Sequence, residues 1–387
     1  MIKSYRVKIY PDKNQSEKII QFCNAARFAY NWAIAEEQKA YEELKTFIPA
    51  YVLTTLWTQF KKQEGNEWLK DISARATKIA VLNAAKAYEN FFKKRAKFPK
   101  FKKKGKSKMS CATHEQTIAF TATHCRLEKL GWVKIGSKNY VPFGDGVKYL
   151  NPKLEFDGVS FWLSVAIELD DKPPDKPYTE GIGVDLGLKT LAVCSNGTTV
   201  NKPNIVKLQK KLRRLQRQAS RHYQQMIDYC RETKIKFHTL QKSKNLLRLE
   251  IDILKLHQKI SNVLNTNIHM FTASLIKLNP EFICIEDLNV SGMMKNRHFS
   301  KKIQEAKFAE IRRQLEYKGQ WNNIPIIVAD RWFPSSKMCS NCGCKKDKLS
   351  LNERTYHCEE CGYSADRDLN ASYNLRKYGE LQLSSVT

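Results

Sequence analysis

Four cysteines near the C-terminal end leave their segment little conformational choice. Cys339-Ser-Asn-Cys342 and Cys358-Glu-Glu-Cys361 are two Cys-x-x-Cys pairs separated by fifteen residues, and a glycine, Gly343 or Gly362, follows each. The two-residue spacing lets both sulfurs of a tight turn face one point, and the glycine supplies the backbone freedom that the turn needs. Two such turns offer a complete tetrahedral thiolate shell, so a zinc ribbon on Cys339, Cys342, Cys358 and Cys361 is expected. All four positions are sulfur and none is open to water, which makes the expected zinc structural rather than catalytic. Cys344 and His357 stand nearby as second-choice ligands. The other seven cysteines, Cys23, Cys111, Cys125, Cys194, Cys230, Cys284 and Cys344, are scattered and read as small buried hydrophobes.

A second pattern recurs at distant places. Gly181 to Val184 reads as a short apolar strand running into Asp185, Leu191 to Cys194 as its partner, and Asn196-Gly197 as the tight turn beyond. Phe282 to Ile285 has the same form and ends in Glu286 and Asp287. DRDLNAS, 366–372, places Asp366 and Asp368 at the start of a short helix. One acid at a strand end fits a loop cap as well as it fits chemistry. Three gathered by a fold, Asp185, Glu286 and Asp368, suit a pair of hard divalent ions such as Mg2+, which take oxygen ligands. Two ions about 4 Å apart activate a water on one side of a phosphodiester and stabilise the leaving oxygen on the other. The acids therefore point to an RNase H-type nuclease site, with Asp366 as the alternative to Asp368. An actin-like ATPase would need a second Asp-x-Gly, and none follows Gly187. DDE transposases share the RNase H fold but run Asp, Asp, Glu, whereas Asp, Glu, Asp is the order of RuvC-type nucleases.

Charge points the same way. In 387 residues, 67 Lys and Arg stand against 39 Asp and Glu, a formal net charge of +28, and such a chain holds an anionic polymer by releasing its counterions. Nucleic acid is the first candidate partner. A membrane is disfavoured, because no uninterrupted apolar run reaches transmembrane length and MIKSYRVKIYP lacks a signal-peptide core, so a soluble intracellular protein is expected. Between Lys93 and Lys108, sixteen residues contain ten Lys or Arg and no acid, with Phe98 and Phe101 interleaved around Pro99. That mixture suits a strip that follows phosphates while aromatic faces pack or stack. From Lys207 to Arg217 there are six more basic residues without an acid, on a helix whose Leu208, Leu212 and Leu215 form an apolar seam.

In chain order, KSYRVKIY (3–10) alternates Tyr5, Val7 and Ile9 with Arg6, Lys8 and Tyr10, the period of a half-buried strand. Helical periodicity follows from about Gln15 to Leu44, with Ile20, Cys23, Arg27, Tyr30 and Ile34 as the stripe. It returns from Leu53 to Phe60 and from Ile72 to Phe92, where Ile79, Leu82 and Tyr88 form the apolar side. From Cys111 to Leu169 short strands and turns predict a small barrel or sandwich completed by the first strand. The Pro-rich stretch 170–178 marks a domain boundary, and a second helical arm is expected from about Lys242 to Leu278.

With these residues together, the chain resembles the TnpB family, transposon-encoded RNA-guided nucleases related to the type V CRISPR effectors. The similarity runs through YRVKIYP, AARFAYNWA, FFKKRAKFPKFKKKG, GVDLGLKTLAV, IEDLNVSGMMKN, RRQLEYKGQW, DRWFPSSKMCSNCG and CEECGYSADRDLNAS, in order. It implies an α+β multidomain protein: a wedge-like β-barrel from 1–12 and 96–175, a helical recognition lobe inserted at 13–95, and a RuvC-like domain from 176–335 and 365–387. A zinc ribbon at 336–364 interrupts that last domain. The family's catalytic acids fall on Asp185, Glu286 and Asp368, the last chosen over Asp366 because it precedes the Leu369-Asn370 pair. Its zinc ligands fall on the four paired cysteines. The implied activity is Mg2+-dependent cleavage, with two ions and Mn2+ as a substitute, of double-stranded DNA paired to a guide RNA from the transposon end. A short flanking motif is read by the protein. Plausible phosphate contacts are Lys78, then Lys93, Lys94, Arg95, Lys100, Lys102, Lys103 and Lys104 in the strip, and Lys210, Lys211, Arg213, Arg214 and Arg217 on the helix. The protein would be a monomer in a ribonucleoprotein, in the prokaryotic cytoplasm at the nucleoid. A guided repressor that does not cut and an unguided resolvase or transposase are the alternatives.

Overall fold

The computed structural model describes residues 1–169, 177–350 and 353–385. The chain divides into two compact units, Met1–Asp171 and Lys172–Thr387. Most of the expected boundary segment, 170–176, lies outside the described residues.

The first unit begins with β1 (Ile2–Tyr10), followed by α1 (Lys13–Leu44), α2 (Ala50–Phe60) and α3 (Ala74–Phe92). Asp12 caps α1 in a reciprocal box with Gln15, and Ser73 caps α3 through the Ala76 amide. Six more strands follow: β2 (Met109–Ala112), β3 (Ala119–Phe120), β4 (His124–Leu127), β5 (Gly131–Ile135), β6 (Tyr149–Phe156) and β7 (Phe161–Glu168). They form one antiparallel sheet in the order β2-β6-β7-β1-β5-β4-β3. The first strand is thus the middle of the sheet, paired with β7 from Ile2↔Glu168 to Ile9↔Phe161. Hydrogen bonding among the described residues leaves β2 and β3 as edges, so a sheet is what is observed where a barrel was expected.

Sheet and helices share a single apolar core rather than forming two lobes with separate ones. The buried stripe of α1 is Ile19, Phe22, Cys23, Ala25, Ala26, Ala29, Tyr30, Ala33 and Ile34, so Cys23, Tyr30 and Ile34 are buried as expected while Ile20 and Arg27 are only half-buried. On α3 the core face is Ala76, Ala80, Val81, Ala84, Ala85 and Tyr88, with Ile79 and Leu82 on its flank. Both corrections have one cause. Alanines let α1 and α3 approach closely, and a stripe traced only through large side chains misses a face built from small ones.

The second unit opens with β8 (Ile182–Leu186), β9 (Ala192–Cys194) and β10 (Thr199–Val200), an antiparallel meander. Two long helices, α4 (Val206–Thr233) and α5 (Lys244–Lys277), lead to β11 (Ile283–Glu286). Next come α6 (Val290–Met293), α7 (Ser300–Ala306), α8 (Phe308–Asn322) and β12 (Ile326–Ala329). The sheet order is β10-β9-β8-β11-β12, with β11 parallel to both β8 and β12. Numbered from the start of the unit this is 3-2-1-4-5, with the antiparallel meander on one side and parallel strands on the other. A small hairpin, β13 (Thr355–His357) with β14 (Ser364–Asp366), precedes α9 (Arg367–Ser384). The helix expected there is not short, because it has a sheet face to cover along its whole length.

Among the described residues no helix is long and apolar enough to cross a membrane.

Candidate active site and metal centre

Register brings two of the expected acids side by side. Parallel pairing of β8 with β11 sets Ile182, Gly183 and Val184 against Ile283, Cys284 and Ile285, so the next residue on each strand is Asp185 or Glu286. The third acid arrives on α9. A Cβ at Gly183 would lie 2.0 Å from the Ser372 carbonyl oxygen and 2.4 Å from the Arg376 nitrogen, so the helix backbone rests directly on the strand there. Farther back, the Phe282 ring fills the space over Gly181 and Gly379. Helix and strand therefore run antiparallel, and Asp368, in the first turn of α9, meets Asp185 at the strand's far end.

The electrostatics record this convergence. Burial, then the Glu286 and Asp368 carboxylates, raise Asp185 well above the usual carboxylate range, with Arg367 opposing. Burial also raises Glu286; the Ser335 hydroxyl, which donates to Glu286 Oε1 at 2.5 Å, pulls the other way, and Asp368 adds to the rise. Asp368 has Arg367 Nε at 3.5 Å and an Arg354 Nη1 at 3.9 Å. Neither hydrogen bond nor ion pair reaches the Asp185 carboxylate among the described residues.

Geometry also separates acids that adjoin in sequence. Asp366 is the cap of α9, accepting from the Asp368 and Leu369 amides at 2.9 and 3.1 Å, so its oxygen is committed to the helix terminus. Asp287 holds Arg331 at 2.5 Å and Arg312 at 2.9 Å, and the Arg331 hydrogen bond keeps its carboxyl below the usual range. Asp185, Glu286 and Asp368 are the acids left facing one another. Their all-oxygen, like-charged donor set fits hard divalent cations. Their oxygens are nevertheless more widely spaced than the cysteine sulfurs, the only metal-ligating group among the described residues gathered within 4.8 Å.

That group is Cys339, Cys342, Cys358 and Cys361. Both knuckles have the same backbone: Cys339 N–H donates to the Cys344 carbonyl and Gly343 N–H to Cys339, and Cys358 and Gly362 repeat this with Tyr363 and Cys358. The two glycines sit at φ 79° and 72°, in the left-handed region. Sulfur separations are 3.7 Å for Cys339–Cys361 and 3.6 Å for Cys342–Cys358. A tetrahedral zinc with bonds of about 2.3 Å sets its sulfurs about 3.8 Å apart, so the cradle fits the ion. The amide of Tyr363 and the Asn341 side chain pull Cys361 down to about 6. For Cys342 the Cys344 amide favours the thiolate, but the neighbouring sulfurs and burial outweigh it and push the thiol to about 12. Four crowded sulfurs without a cation cannot all carry charge. Cys344 and the exposed His357 stay outside the cluster, and of the remaining cysteines Cys23, Cys111, Cys125, Cys194 and Cys284 are buried as expected.

The expected basic contacts divide. On α4, Lys210, Lys211, Arg213, Arg214 and Arg217 are all exposed. Lys78, Lys93, Lys94, Arg95, Lys100, Lys103 and Lys104 are exposed in the first unit, although Lys93 pairs with Glu89. Lys102 differs. Its backbone is clamped by Asn31 through two hydrogen bonds of 2.8 and 2.9 Å, and its ammonium lies 3.8 Å from the centre of the Tyr30 ring. Sequence reasoning did not single out Gly183, Ser335 or Asn374 around the acids. For Gly183 a signal existed, a glycine two residues before a strand-end acid and so on the acid's own face.

The sheet order and the carboxylates at its centre define an α+β protein of RuvC-like architecture with a four-cysteine ribbon beside the site. Comparison narrows this. Family models match residues 308–375 (Cas12f1-like, TNB domain), 164–297 (OrfB_IS605, "Probable transposase") and 1–46 (OrfB_IS605 helix-turn-helix domain). InsQ of Escherichia coli K12, provisionally named an RNA-guided DNA endonuclease, is 28% identical over 401 residues, covering 99% of this chain and 94% of that one. A protein of Streptomyces pristinaespiralis with the same provisional name is 26% identical over 383 residues, 97% of this chain and 89% of the relative. The Cas12f1 protein in a cryo-EM complex with sgRNA and target DNA shares the fold, with a TM-score of 0.59 at 12% identity over 97% of this chain and 98% of that chain. The chain is thus similar, along almost its whole length, to proteins provisionally named RNA-guided DNA endonucleases.

Proposed function

We propose that this chain is an RNA-guided DNA endonuclease whose phosphodiester hydrolysis takes place at Asp185, Glu286 and Asp368. The observation that carries the reading is their convergence from β8, β11 and α9, with no hydrogen bond or ion pair on the Asp185 carboxylate among the described residues and with burial and mutual repulsion raising Asp185 and Glu286. The three carboxylates would hold two Mg2+ ions, with Mn2+ as a substitute, which supply an activated water and a stabilised leaving oxygen. The chain's own part is to fix the ligands. β8 and β11 set two acids in adjacent register, α9 brings the third, and Arg354 and Arg367 balance Asp368. Cys339, Cys342, Cys358 and Cys361 would hold one structural Zn2+. The exposed basic faces of α4 and of the strip 93–108 would bind guide RNA and target duplex by counterion release. Base pairing would supply sequence information, and the protein would read a short flanking motif. Relatives that carry the provisional name RNA-guided DNA endonuclease along almost the whole chain support this reading.

The test is to co-express the protein with the genomic DNA just downstream of its gene, sequence the RNA that co-purifies, and offer matched DNA with a randomised flank. Cleavage of matched DNA with Mg2+ and none with EDTA is expected, and Asp185→Ala should abolish it. Full-rate cutting by Asp185→Ala would refute the site. Cutting without RNA would favour an unguided resolvase, and guided binding without cutting a repressor.

A further inference from the structure

We propose that Ser335 is a positioning residue for Glu286, an inference that rests on the carboxylate site proposed above. Glu286 stands at the end of β11 among like charges, with three side-chain torsions through which it can swing away. Ser335 removes that freedom. Its hydroxyl donates to Glu286 Oε1 at 2.5 Å, the one hydrogen bond to this carboxylate among the described residues, and Asp368 lies close enough to raise the same carboxyl.

Ser335 is itself held rigidly, only 4% exposed. Its amide donates to the Phe333 carbonyl at 2.9 Å, and its carbonyl accepts from Asn374 Nδ2 at 2.8 Å. The same Asn374 nitrogen donates to the Met338 carbonyl at 2.6 Å, just before Cys339. Asn370, one turn earlier on α9, donates to Met338 at 2.7 Å and accepts from the Ser340 amide at 2.9 Å. The helix that brings Asp368 therefore also grips the first cysteine knuckle on both sides of Cys339 and fixes the serine that orients Glu286. A hydroxyl on so constrained a backbone can be held within a few tenths of an ångström, which is what orienting a ligand oxygen requires. A merely structural serine would find a backbone carbonyl; this one is spent on a buried acid.

The experiment measures binding of Mn2+, used alone as the probe, to the full zinc-loaded chain by titration calorimetry. Zinc content and melting temperature are recorded on the same samples. Ser335→Ala should weaken Mn2+ binding about 10- to 100-fold, the usual cost of losing a partner that orients a metal ligand, while keeping zinc content and melting temperature. Ser335→Thr, which retains the hydroxyl, should recover most of the affinity. In Ser335→Ala/Glu286→Gln the loss should not exceed that of Glu286→Gln alone, because both act through one carboxylate. Should Ser335→Ala fail to fold, Ser335→Cys fills the same space with a weak donor and decides by the same measure. Mn2+ affinity unchanged in the folded variant, or an additive loss in the double variant, would overturn the proposal while leaving the carboxylate site standing. A wild-type chain that takes up no Mn2+, or a Glu286→Gln chain that binds it normally, would overturn both.

Discussion

Gly183→Ala is the sharpest perturbation of how this site is assembled. The added Cβ would sit 2.0 Å from the Ser372 oxygen and 2.4 Å from the Arg376 nitrogen, where ordinary contact begins at 3.4 Å. Both atoms belong to the backbone in the body of α9, so neither can rotate away, and relief along the shorter contact needs a separation of 3.4 − 2.0 = 1.4 Å. Overpacking of this kind costs about 3 kcal/mol. At roughly 2–4 °C per kcal/mol for a unit of this size, the melting temperature should fall by about 6–12 °C. The larger effect is on chemistry. Gly183 and Asp185 share a strand face and α9 carries Asp368, so pushing the helix off the strand opens the distance between the two acids. A misplacement near 1 Å costs about 100-fold in rate. Thermal melting and single-turnover cleavage in saturating Mg2+ measure the two effects. Val184→Ala is the control: Val184 is fully buried on the other face, so the variant should lose about 2 kcal/mol yet keep most of its cleavage rate. Wild-type melting and cleavage in Gly183→Ala would show that α9 does not rest on β8 as described.

Three further outcomes are expected. Because burial and its neighbours raise Asp185 in the folded chain, it binds more protons folded than unfolded, and stability without metal falls as pH rises above the ordinary carboxylate range. Zinc-loaded Asp185→Asn without added Mg2+ or chelator should thus melt above wild type at pH 8, with the gap closing as pH falls and no gain on adding Mg2+; a lower melting point at pH 8 would refute the charge argument. Glu37, fully buried with one oxygen bonded to the Ile48 amide and the other unpartnered, is raised from 4.5 to about 7. The same sign applies, so the first unit should lose up to about 3 kcal/mol as pH rises from 4.5 to 7. Urea denaturation at pH 5 and 8 should show that loss in wild type and not in Glu37→Gln. Cys358→Ser should lower zinc content and melting temperature together, since the ribbon core of Cys339, Tyr356 and Cys358 is too small to hold without its ion; normal zinc stoichiometry would refute the ligand set.

What was legible in the sequence is what spacing alone determines. Two Cys-x-x-Cys pairs with trailing glycines define a sulfur cradle whatever surrounds them, and apolar runs ending in acids read as strand ends because a buried strand has few other ways to stop. Choices between neighbours were not legible. Asp366 and Asp368 differ only in that one caps a helix and the other lies two residues on in its first turn, and Glu286 and Asp287 in which faces arginines. The α1 and α3 stripes were read only in part: Cys23, Tyr30, Ile34 and Tyr88 are buried, but alanine faces carry little hydrophobic signal while permitting the closest packing. Asn370 and Asn374 looked like ordinary helix polar residues, although at 0% and 1% exposure they are among the most buried side chains of the second unit. A buried asparagine is recognisable only from the carbonyls it satisfies, and those belong to a loop more than thirty residues earlier.

The arrangement around α9 explains why glycine, asparagine and aspartate recur at these places. From the Gly183 contact, Asp185 lies two residues onward, about 7 Å along the strand. From Ser372, Asp368 lies four residues back, about 6 Å along the helix. The two acids meet because these lengths match and the elements run antiparallel, so one close contact sets the separation of two carboxylates. On the same helix Asn370 and Asn374 are spaced by four, and a single face therefore reaches both the Met338 carbonyl and that of Ser335. Leu375 and Gly379, also four apart, meet Phe282 beneath the sheet. Sliding α9 by one residue would turn it by about 100° and break all three sets at once. Position along α9 is thus over-determined by packing on the sheet and by the grip on the ribbon, and the acid in its first turn inherits a place that no contact of its own has to enforce.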